Sequence, residues 1–204
     1  MKIQTAEFVT SVGPDGRLPV EHLPQIAFVG RSNVGKSTLI NALAHRKIAR
    51  AGGAPGTTRL LNVYRIRLTG HRGELLLVDL PGYGYARGSP ADRGFDRLTQ
   101  RYFNPDPNEM PTRPGRTGPA GAVLLVDARH PGIESDRDAL TWLTELRLPL
   151  LVAATKVDRV TRSARKARLE SHETALERTI LPISSKLGDG LPAFWASLLQ
   201  LAGV

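Results

Sequence analysis

Short apolar runs recur along the chain and are separated by longer segments that mix apolar and charged residues. A continuous apolar run is typical of a strand that is covered on both faces of a sheet. Alternation of such strands with helices predicts an α/β fold with a doubly wound, mostly parallel sheet and helices on both faces. The predicted strands of this kind are 26–29, 75–78, 122–126, 150–154 and 179–183. The predicted helices are 37–44, 91–102, 134–147, 161–177 and 190–202.

One further segment, 60–68, alternates apolar and polar residues enough to indicate a half-exposed strand. A turn at 70–73 joins it to the next apolar run, and this hairpin predicts one antiparallel edge in a sheet of about six strands. We expect residues 1–24, which contain one strand-like run at 7–10, to form an N-terminal extension packed on a single domain, 25–204. Within that domain, residues 104–119 hold five prolines and almost nothing apolar, which indicates a loop.

The residues that join the first buried strand to the first helix fit G-x-x-x-x-G-K-[ST], the pattern of a phosphate-binding loop. Its glycines let the backbone approach a phosphate closely, and the amides of the loop and helix start point at the anion. Lys36 is placed to reach the β- and γ-phosphates, and the Ser37 hydroxyl to ligate Mg²⁺. We therefore assign nucleotide contacts to Gly30, Arg31, Ser32, Asn33, Val34, Gly35, Lys36, Ser37 and Thr38.

Two later motifs each follow a predicted strand, where the carboxyl ends of parallel strands meet. The first is Asp79-x-x-Gly82, in which Asp79 would hold Mg²⁺ through a water and the Gly82 amide would contact the γ-phosphate. The second, Thr155-Lys156-x-Asp158, is typical of guanine binding. The Asp158 carboxylate can accept from N1–H and the 2-amino group of guanine, and adenine lacks that amino group. The Lys156 stem can cover the face of the base.

Two loops complete the candidate nucleotide site. One follows the last predicted strand, where we expect a backbone N–H to reach the guanine O6; its residues are Ser184, Ser185 and Lys186. The other is a Gly-rich segment after the first helix, which a γ-phosphate would order as a switch. Its candidate residues are Gly56, Thr57 and Thr58, and one of the two threonines is expected to meet Mg²⁺ and the γ-phosphate.

The distribution of charge points to a polyanionic partner. The net charge is +9, and residues 22–73 contain nine Lys or Arg residues and no Asp or Glu. The rest of the chain holds 19 basic and 19 acidic residues, so the whole excess surrounds the phosphate-binding loop. RNA is the natural candidate for such a surface, although codon bias toward Arg is an alternative explanation.

Composition also bears on localisation. The chain has no cysteine, which agrees with a reducing compartment, and its first residues lack the apolar core of a signal peptide. No apolar run approaches the roughly 20 residues that a membrane-spanning helix needs. We expect a soluble, monomeric cytoplasmic protein.

Three runs of sequence carry a family resemblance. GRSNVGKS at Gly30–Ser37, DLPGYGYA at Asp79–Ala86 and DARHP at Asp127–Pro131 resemble the EngB family, also called YsxC or YihA, in the translation-factor-like branch of P-loop GTPases. The resemblance implies a single P-loop GTPase domain that binds GTP, GDP and Mg²⁺ and acts in assembly of the large (50S) ribosomal subunit, with a link to cell division and septation. It favours Thr58 as the switch threonine. Arg59 departs from the glutamine that is usual in the family.

A gap in the catalytic machinery follows from the same residues. Lys36, Thr58 and Gly82 are the candidate catalytic residues, but Tyr83 stands where many GTPases place a glutamine that orients water. The sequence therefore predicts slow intrinsic hydrolysis that a partner stimulates. Asn33 is either a K⁺ ligand beside the phosphates or a turn residue that tolerates a left-handed backbone.

Three functions compete at this stage. The first is a GTP-dependent switch that binds an assembling large ribosomal subunit and its rRNA. The second is a GTPase that acts through protein partners at the division site without binding ribosomes. The third, a P-loop ATPase or kinase, is opposed by the guanine-binding pattern at 155–158.

Overall fold

The computed structural model describes residues 3–14, 16, 22–50, 60–69, 73–83, 97–105 and 118–204. Within these ranges, seven strands form one sheet and five α-helices cover it. The strands are β1 (Ile3–Val12), β2 (Gln25–Gly30), β3 (Leu61–Leu68), β4 (Glu74–Asp79), β5 (Gly121–Asp127), β6 (Leu150–Thr155) and β7 (Leu181–Pro182). The helices are α1 (Lys36–Ala44), α2 (Arg97–Phe103), α3 (Glu134–Glu145), α4 (Arg162–Leu176) and α5 (Leu191–Ala202).

The sheet has the order β1-β3-β4-β2-β5-β6-β7. Strands β4, β2, β5, β6 and β7 are parallel, whereas β3 runs antiparallel to β4 and β1 antiparallel to β3. The predicted α/β fold with a mostly parallel sheet and an antiparallel edge is therefore confirmed. The difference is a seventh strand: the strand-like run predicted at 7–10 belongs to β1, which lies outside β3 and forms the edge itself. The proposed boundary at residues 24 and 25 stays a prediction.

Two apolar cores explain why the central strands read as continuous apolar runs. Every residue of β2 and β5 is buried, and successive side chains enter opposite faces of the sheet. One face packs against α1 and α5, through residues such as Leu39 and Phe194. The other packs against α2, α3 and α4, through Leu98, Leu140 and Leu176. Helices on both faces make the sheet doubly wound, as predicted.

Strand β7 is shorter than the predicted 179–183. Only Leu181 and Pro182 pair with β6, and the Ile183 amide adds one hydrogen bond to the Ala154 carbonyl at 2.8 Å. Residues 91–96 of the predicted helix 91–102 lie outside the described residues, as do 106–117 of the proline-rich loop. No helix in the described ranges is long and apolar enough to cross a membrane.

Candidate functional site

The phosphate-binding loop leaves the end of β2 and enters α1 at the carboxyl edge of the sheet. A Cβ on Gly30 would lie 2.8 Å from the Leu125 carbonyl oxygen, so this position needs glycine for close packing on β5. Asn33 and Gly35 have φ values of 64° and 113°, a left-handed backbone that opens the loop. The loop therefore has the conformation of a turn, and Asn33 is a left-handed residue within it.

Lys36 lies inside the loop and is almost fully buried, with 9% exposure. Its Nζ donates a hydrogen bond to the Gly30 carbonyl at 3.1 Å. Burial lowers the pKa of this amine, and the negative charge of Asp79 acts in the opposite direction. A buried ammonium held over a loop of this shape is suited to bind phosphate oxygens.

Ser37 and Asp79 face each other across α1 and β4. The Ser37 hydroxyl donates to Asp79 Oδ2 at 2.8 Å, while the buried Asp79 Oδ1 has no hydrogen-bond partner among the residues that the structure describes. Burial raises the pKa of Asp79, and Lys36 and Ser37 act to lower it. A hydroxyl beside a carboxylate with an unsatisfied oxygen is a donor set that Mg²⁺ prefers. These two residues therefore fit the metal site that the sequence predicts.

The segment Gly82–Tyr83 lies directly against the phosphate-binding loop. The Ser32 amide donates to the Tyr83 carbonyl at 3.2 Å, and the Ser32 hydroxyl lies 3.4 Å from the Gly82 carbonyl. A Cβ on Gly82 would lie only 2.7 Å from the Ser32 nitrogen. The structure therefore brings Gly82 against the backbone of the phosphate-binding loop, and only glycine fits there.

Tyr83 packs into the apolar core on the α3 side and is 7% exposed. Its hydroxyl donates to Asp136 Oδ1 at 2.9 Å, and Arg31 Nε lies 3.2 Å from the same oxygen. Burial, followed by the nearby carboxylate, raises the pKa of the Tyr83 phenol, which keeps it protonated as a donor. Asp136 has no place in the sequence-based site, because an aspartate near the start of a helix reads as a solvated residue.

At the other end of the site, Thr155 links the 155–158 motif to the phosphate-binding loop through hydrogen bonds. Its hydroxyl donates to the Val34 carbonyl at 2.7 Å and lies 3.1 Å from the Val126 carbonyl. Both bonds are buried and both partners are backbone groups. The end of β6 is therefore held against the phosphate-binding loop and the end of β5.

Lys156 bridges the same two elements. Its Nζ donates to the Asn33 carbonyl at 2.6 Å and to Asp127 Oδ2 at 2.8 Å. Asp127 also accepts two side-chain hydrogen bonds from Arg129, at 2.8 and 2.7 Å. Burial acts to raise the pKa of Asp127, but the hydrogen bonds from Arg129 and Lys156 hold it well below its ordinary value. In the sequence, Asp127 is distinguished only as the first residue of the DARHP run and by its position after a predicted buried strand.

Asp158 is oriented by the loop that follows β7. The buried Ser184 hydroxyl donates to Asp158 Oδ1 at 2.7 Å and accepts from the Leu187 amide at 3.0 Å. The Val157 amide also donates to the Ile183 carbonyl at 3.3 Å. Ser185 and Lys186 follow in the same loop. The structure thus brings the 155–158 and 184–186 motifs together.

Several predicted residues cannot be placed in this way. Gly56, Thr57 and Thr58 lie outside the described residues, as do Arg59 and residues 84–86 of the DLPGYGYA run. The remaining predicted residues meet at one edge of the sheet. Their roles in binding nucleotide and Mg²⁺ stay predictions.

Comparison with known proteins gives concordant matches. A family model described as 50S ribosome-binding GTPase matches residues 25–156. The probable GTP-binding protein EngB of Pelotomaculum thermopropionicum is 41% identical over 88% of this chain and 84% of its own length. The protein of the same name from Geobacter sulfurreducens is 40% identical over 97% of this chain and 91% of its own.

Solved structures show the same fold. A crystal structure of a probable GTP-binding protein engB has a TM-score of 0.60 and 24% identity, and the match covers 88% of this chain and 98% of that one. Era in complex with MgGDPNP and a segment of 16S ribosomal RNA has a TM-score of 0.68 and 21% identity, over 88% of this chain and 57% of that one. The chain belongs to the EngB family of GTP-binding proteins and is a GTPase.

Proposed function

We propose that this GTPase is a cytoplasmic, monomeric switch that acts in assembly of the large (50S) ribosomal subunit, and that normal cell division and septation depend on it. The observation that carries the proposal is the acid-free, basic segment 22–73 around the phosphate-binding loop. The description of the matching family model as a 50S ribosome-binding GTPase supports it. A nucleotide needs Lys36, and Arg31, Arg65 and Arg67 lie beside carboxylates of the chain. Three further cations of the segment, Arg46, Lys47 and Arg50, are exposed and available to a larger polyanion.

The proposed nucleotide roles are those that the sequence motifs predict. Lys36 and the loop amides hold the β- and γ-phosphates, and Gly82 contacts the γ-phosphate. The Ser37 hydroxyl, Thr58 and, through a water, Asp79 would hold Mg²⁺, which would neutralise charge on the phosphate oxygens. The base is read by Asp158, with Lys156 covering its face and the 184–186 loop beside its O6.

Hydrolysis by these residues alone is slow in this proposal. The Tyr83 side chain is buried and its hydroxyl is committed to Asp136, so it does not orient the attacking water. Lys36 and the loop amides stabilise charge, which leaves positioning of the water to a partner. The assembling ribosomal subunit is the simplest partner to complete the site.

Asn33 is a further candidate, as a K⁺ ligand beside the phosphates. Its φ of 64° and the bond from Lys156 to its carbonyl explain its backbone position but leave the role of its amide open. If K⁺ acts there, hydrolysis will be faster in KCl than in NaCl at equal ionic strength. Equal rates in the two salts would remove K⁺ from the proposal.

A basic turn after α1 offers the first contact for a polyanion. Its exposed cations are Arg46, Lys47 and Arg50. The side chain of Asn41 braces the turn: its Oδ1 accepts from the Ile48 and Ala49 amides, and its Nδ2 donates to the Ala49 carbonyl, all at 2.8 Å.

Because α1 begins at the phosphate-binding loop, this brace holds the three cations in a fixed relation to the nucleotide site. The turn is followed directly by residues 51–59, which hold the predicted switch threonine. The basic turn is therefore the surface that we propose for the ribosomal partner, and it immediately precedes the predicted switch in the chain.

Co-sedimentation with large ribosomal subunits under a non-hydrolysable GTP analogue tests the proposal. The variant Arg46→Ala/Lys47→Ala/Arg50→Ala should weaken binding and reduce the slope of log K against log salt by about two to three. The matched control is Arg162→Ala/Lys166→Ala/Arg168→Ala on α4, which removes the same charge from an exposed helix that also carries glutamates.

Equal loss in the two variants would show that net charge alone drives binding. Absence of any nucleotide-dependent binding by the wild-type protein would contradict the ribosomal role. It would favour the alternative, in which the GTPase acts through protein partners at the division site.

A further inference from the structure

The Asp136 carboxylate is the centre of a small buried network that joins three parts of the molecule. It lies in the first turn of α3 and is 2% exposed. Its Oδ1 accepts a hydrogen bond from the Tyr83 hydroxyl at 2.9 Å and lies 3.2 Å from Arg31 Nε. Arg31 belongs to the phosphate-binding loop, and Tyr83 directly follows the glycine of the Asp79-x-x-Gly82 motif.

Stability alone does not account for this network. Burial of a carboxylate is costly, and an apolar group of similar size would fill the same space without that cost. The compensation here is incomplete, because within the described part of the chain the buried Asp136 Oδ2 has no hydrogen-bond partner. Burial raises the pKa of Asp136, although Arg31 and Tyr83 act to lower it. The remaining explanation is that the network orients the groups that it contacts.

What the network positions is the backbone of Gly82 and Tyr83. The Tyr83 and Arg31 backbones form an isolated parallel bridge, in which the Ser32 amide donates to the Tyr83 carbonyl. Gly82 is so close to Ser32 that a Cβ would overlap its backbone nitrogen. A Tyr83 side chain that is fixed at its hydroxyl therefore fixes the peptide that precedes it against the phosphate-binding loop.

We propose that Asp136 is a positioning residue for recognition of the γ-phosphate: by holding Tyr83 and Arg31, it fixes the Gly82 amide where that phosphate binds. The inference rests on the γ-phosphate contact proposed for Gly82. It gives Tyr83 a role other than orientation of water, because its hydroxyl anchors the segment to α3. GDP, which lacks the γ-phosphate, gains nothing from this arrangement.

The test compares affinities for a non-hydrolysable GTP analogue and for GDP, both with Mg²⁺. Tyr83→Phe removes one hydrogen bond to a charged group, and we expect the ratio of analogue to GDP affinity to fall about tenfold. Asp136→Ala should lower the ratio at least as much. Asp136→Asn keeps an acceptor for the Tyr83 hydroxyl and should restore most of it.

The matched control is Tyr102→Phe. The Tyr102 hydroxyl donates to Gln25 at 3.1 Å, and Tyr102 is buried in the same apolar core as Tyr83 but away from the phosphate-binding loop. Both substitutions delete one phenol oxygen from that core. Tyr102→Phe should leave the ratio unchanged, whatever it does to the melting temperature.

The double variant Tyr83→Phe/Asp136→Ala adds a second check. If the two groups act through one contact, its ratio should fall little further than in Asp136→Ala, whereas independent effects would multiply. A purely structural role would lower the melting temperature and both affinities alike. An unchanged ratio in Tyr83→Phe, in protein that still binds GDP, would overturn the inference even if Asp136→Ala fails to fold.

Gly82→Ala tests the γ-phosphate contact proposed for Gly82 separately from the positioning role proposed for Asp136. If Gly82→Ala leaves the ratio unchanged, the γ-phosphate contact of Gly82 is wrong, and the inference fails with it. If Gly82→Ala lowers the ratio but Tyr83→Phe and Asp136→Ala do not, only the role of Asp136 is wrong.

Discussion

The two ends of the nucleotide site differ in how completely the protein satisfies its own polar groups. At the base end, Thr155, Lys156 and Ser184 all have hydrogen-bond partners within the chain. At the phosphate end, two buried carboxylate oxygens of the described residues have none: Asp79 Oδ1 and Asp136 Oδ2. Burial also lowers the pKa of Lys36 and raises the pKa of Asp79, which favours the neutral form of each group.

The difference matches what each end must do. Reading a base requires rigid, pre-oriented groups and no chemistry, so internal hydrogen bonds are an advantage there. Binding phosphates and stabilising a transition state requires charges that are not already neutralised. The phosphate end therefore keeps buried groups that its ligands are suited to satisfy, at a cost to the stability of the folded chain.

The largest expected effect is the loss of hydrolysis when the buried charge at the phosphate end is removed. Lys36→Met keeps the apolar stem but removes the buried charge, and hydrolysis should fall about 10³-fold or more. Because burial lowers the pKa of Lys36, the charged form is disfavoured in the folded state. The free energy of unfolding without nucleotide should therefore stay the same or rise. Urea denaturation measures the free energy of unfolding, and a single-turnover assay measures hydrolysis. A marked loss of stability in Lys36→Met would contradict the proposed difference between the two ends of the site.

The next effect tests the base end. Asp158→Asn replaces an acceptor of two guanine hydrogens by an amide, and GTP affinity should fall roughly 100-fold. The amide introduced by this substitution would offer a donor to the 2-oxygen of xanthine, so affinity for xanthosine triphosphate should rise. Competition binding with both nucleotides measures the change. Equal losses for GTP and ATP analogues would show that Asp158 does not read the base.

A smaller effect is expected at Asp127, which accepts a hydrogen bond from Lys156 and so helps to hold Lys156 beside the phosphate-binding loop. Asp127→Asn should weaken GTP and GDP binding alike, by about tenfold, because one charge-assisted hydrogen bond to Lys156 is lost. Isothermal titration with each nucleotide measures this loss. A change in GTP affinity alone would instead place Asp127 among the groups that sense the γ-phosphate.

Asp127 also predicts a dependence on pH. Hydrogen bonds from Arg129 and Lys156 depress its pKa in the folded state, so its stabilising contribution is complete above the ordinary value of 3.8. The contribution is lost as the pH falls toward the lower folded pKa. The difference in unfolding free energy between wild type and Asp127→Asn should therefore be constant near neutral pH and shrink below about pH 4. A difference that grows on acidification would contradict this assignment.

The smallest effect is expected at Ser184, which orients Asp158 without touching the phosphates. Ser184→Ala should reduce GTP affinity about threefold to tenfold, the value of one hydrogen bond. Its neighbour offers the control, because Ser185→Ala changes the same loop without removing the bond to Asp158. Equal effects of the two substitutions would remove Ser184 from the account.

The sequence was sufficient for the main fold and for grouping the motifs. Central strands such as β2 and β5 are apolar throughout, and the phosphate-binding loop has a fixed spacing, so both can be recognised locally. Strand β1 was predicted only at residues 7–10, although it spans Ile3–Val12. Register shifts near Ile3 and Phe8 interrupt its alternation, and its partner β3 lies about 50 residues away in the chain.

The supporting carboxylates could not be found in the same way. Asp127 and Asp136 act through contacts with Lys156, Arg129, Tyr83 and Arg31, which only the folded chain brings together. In the sequence, Asp136 belongs to a run of alternating charges at the start of α3 that is typical of a solvated helix. Its burial follows from tertiary packing, which no local pattern encodes.

The comparison between the two ends is tested most directly by single-turnover GTP hydrolysis with and without precursors of the 50S subunit. The account predicts slow hydrolysis by the protein alone and a faster rate with the particles, because a partner completes the phosphate end. The Arg46→Ala/Lys47→Ala/Arg50→Ala variant should keep the slow basal rate and need more particles for stimulation. Equal wild-type rates with and without particles, at particle concentrations that saturate binding, would contradict the claim that a partner completes the phosphate end.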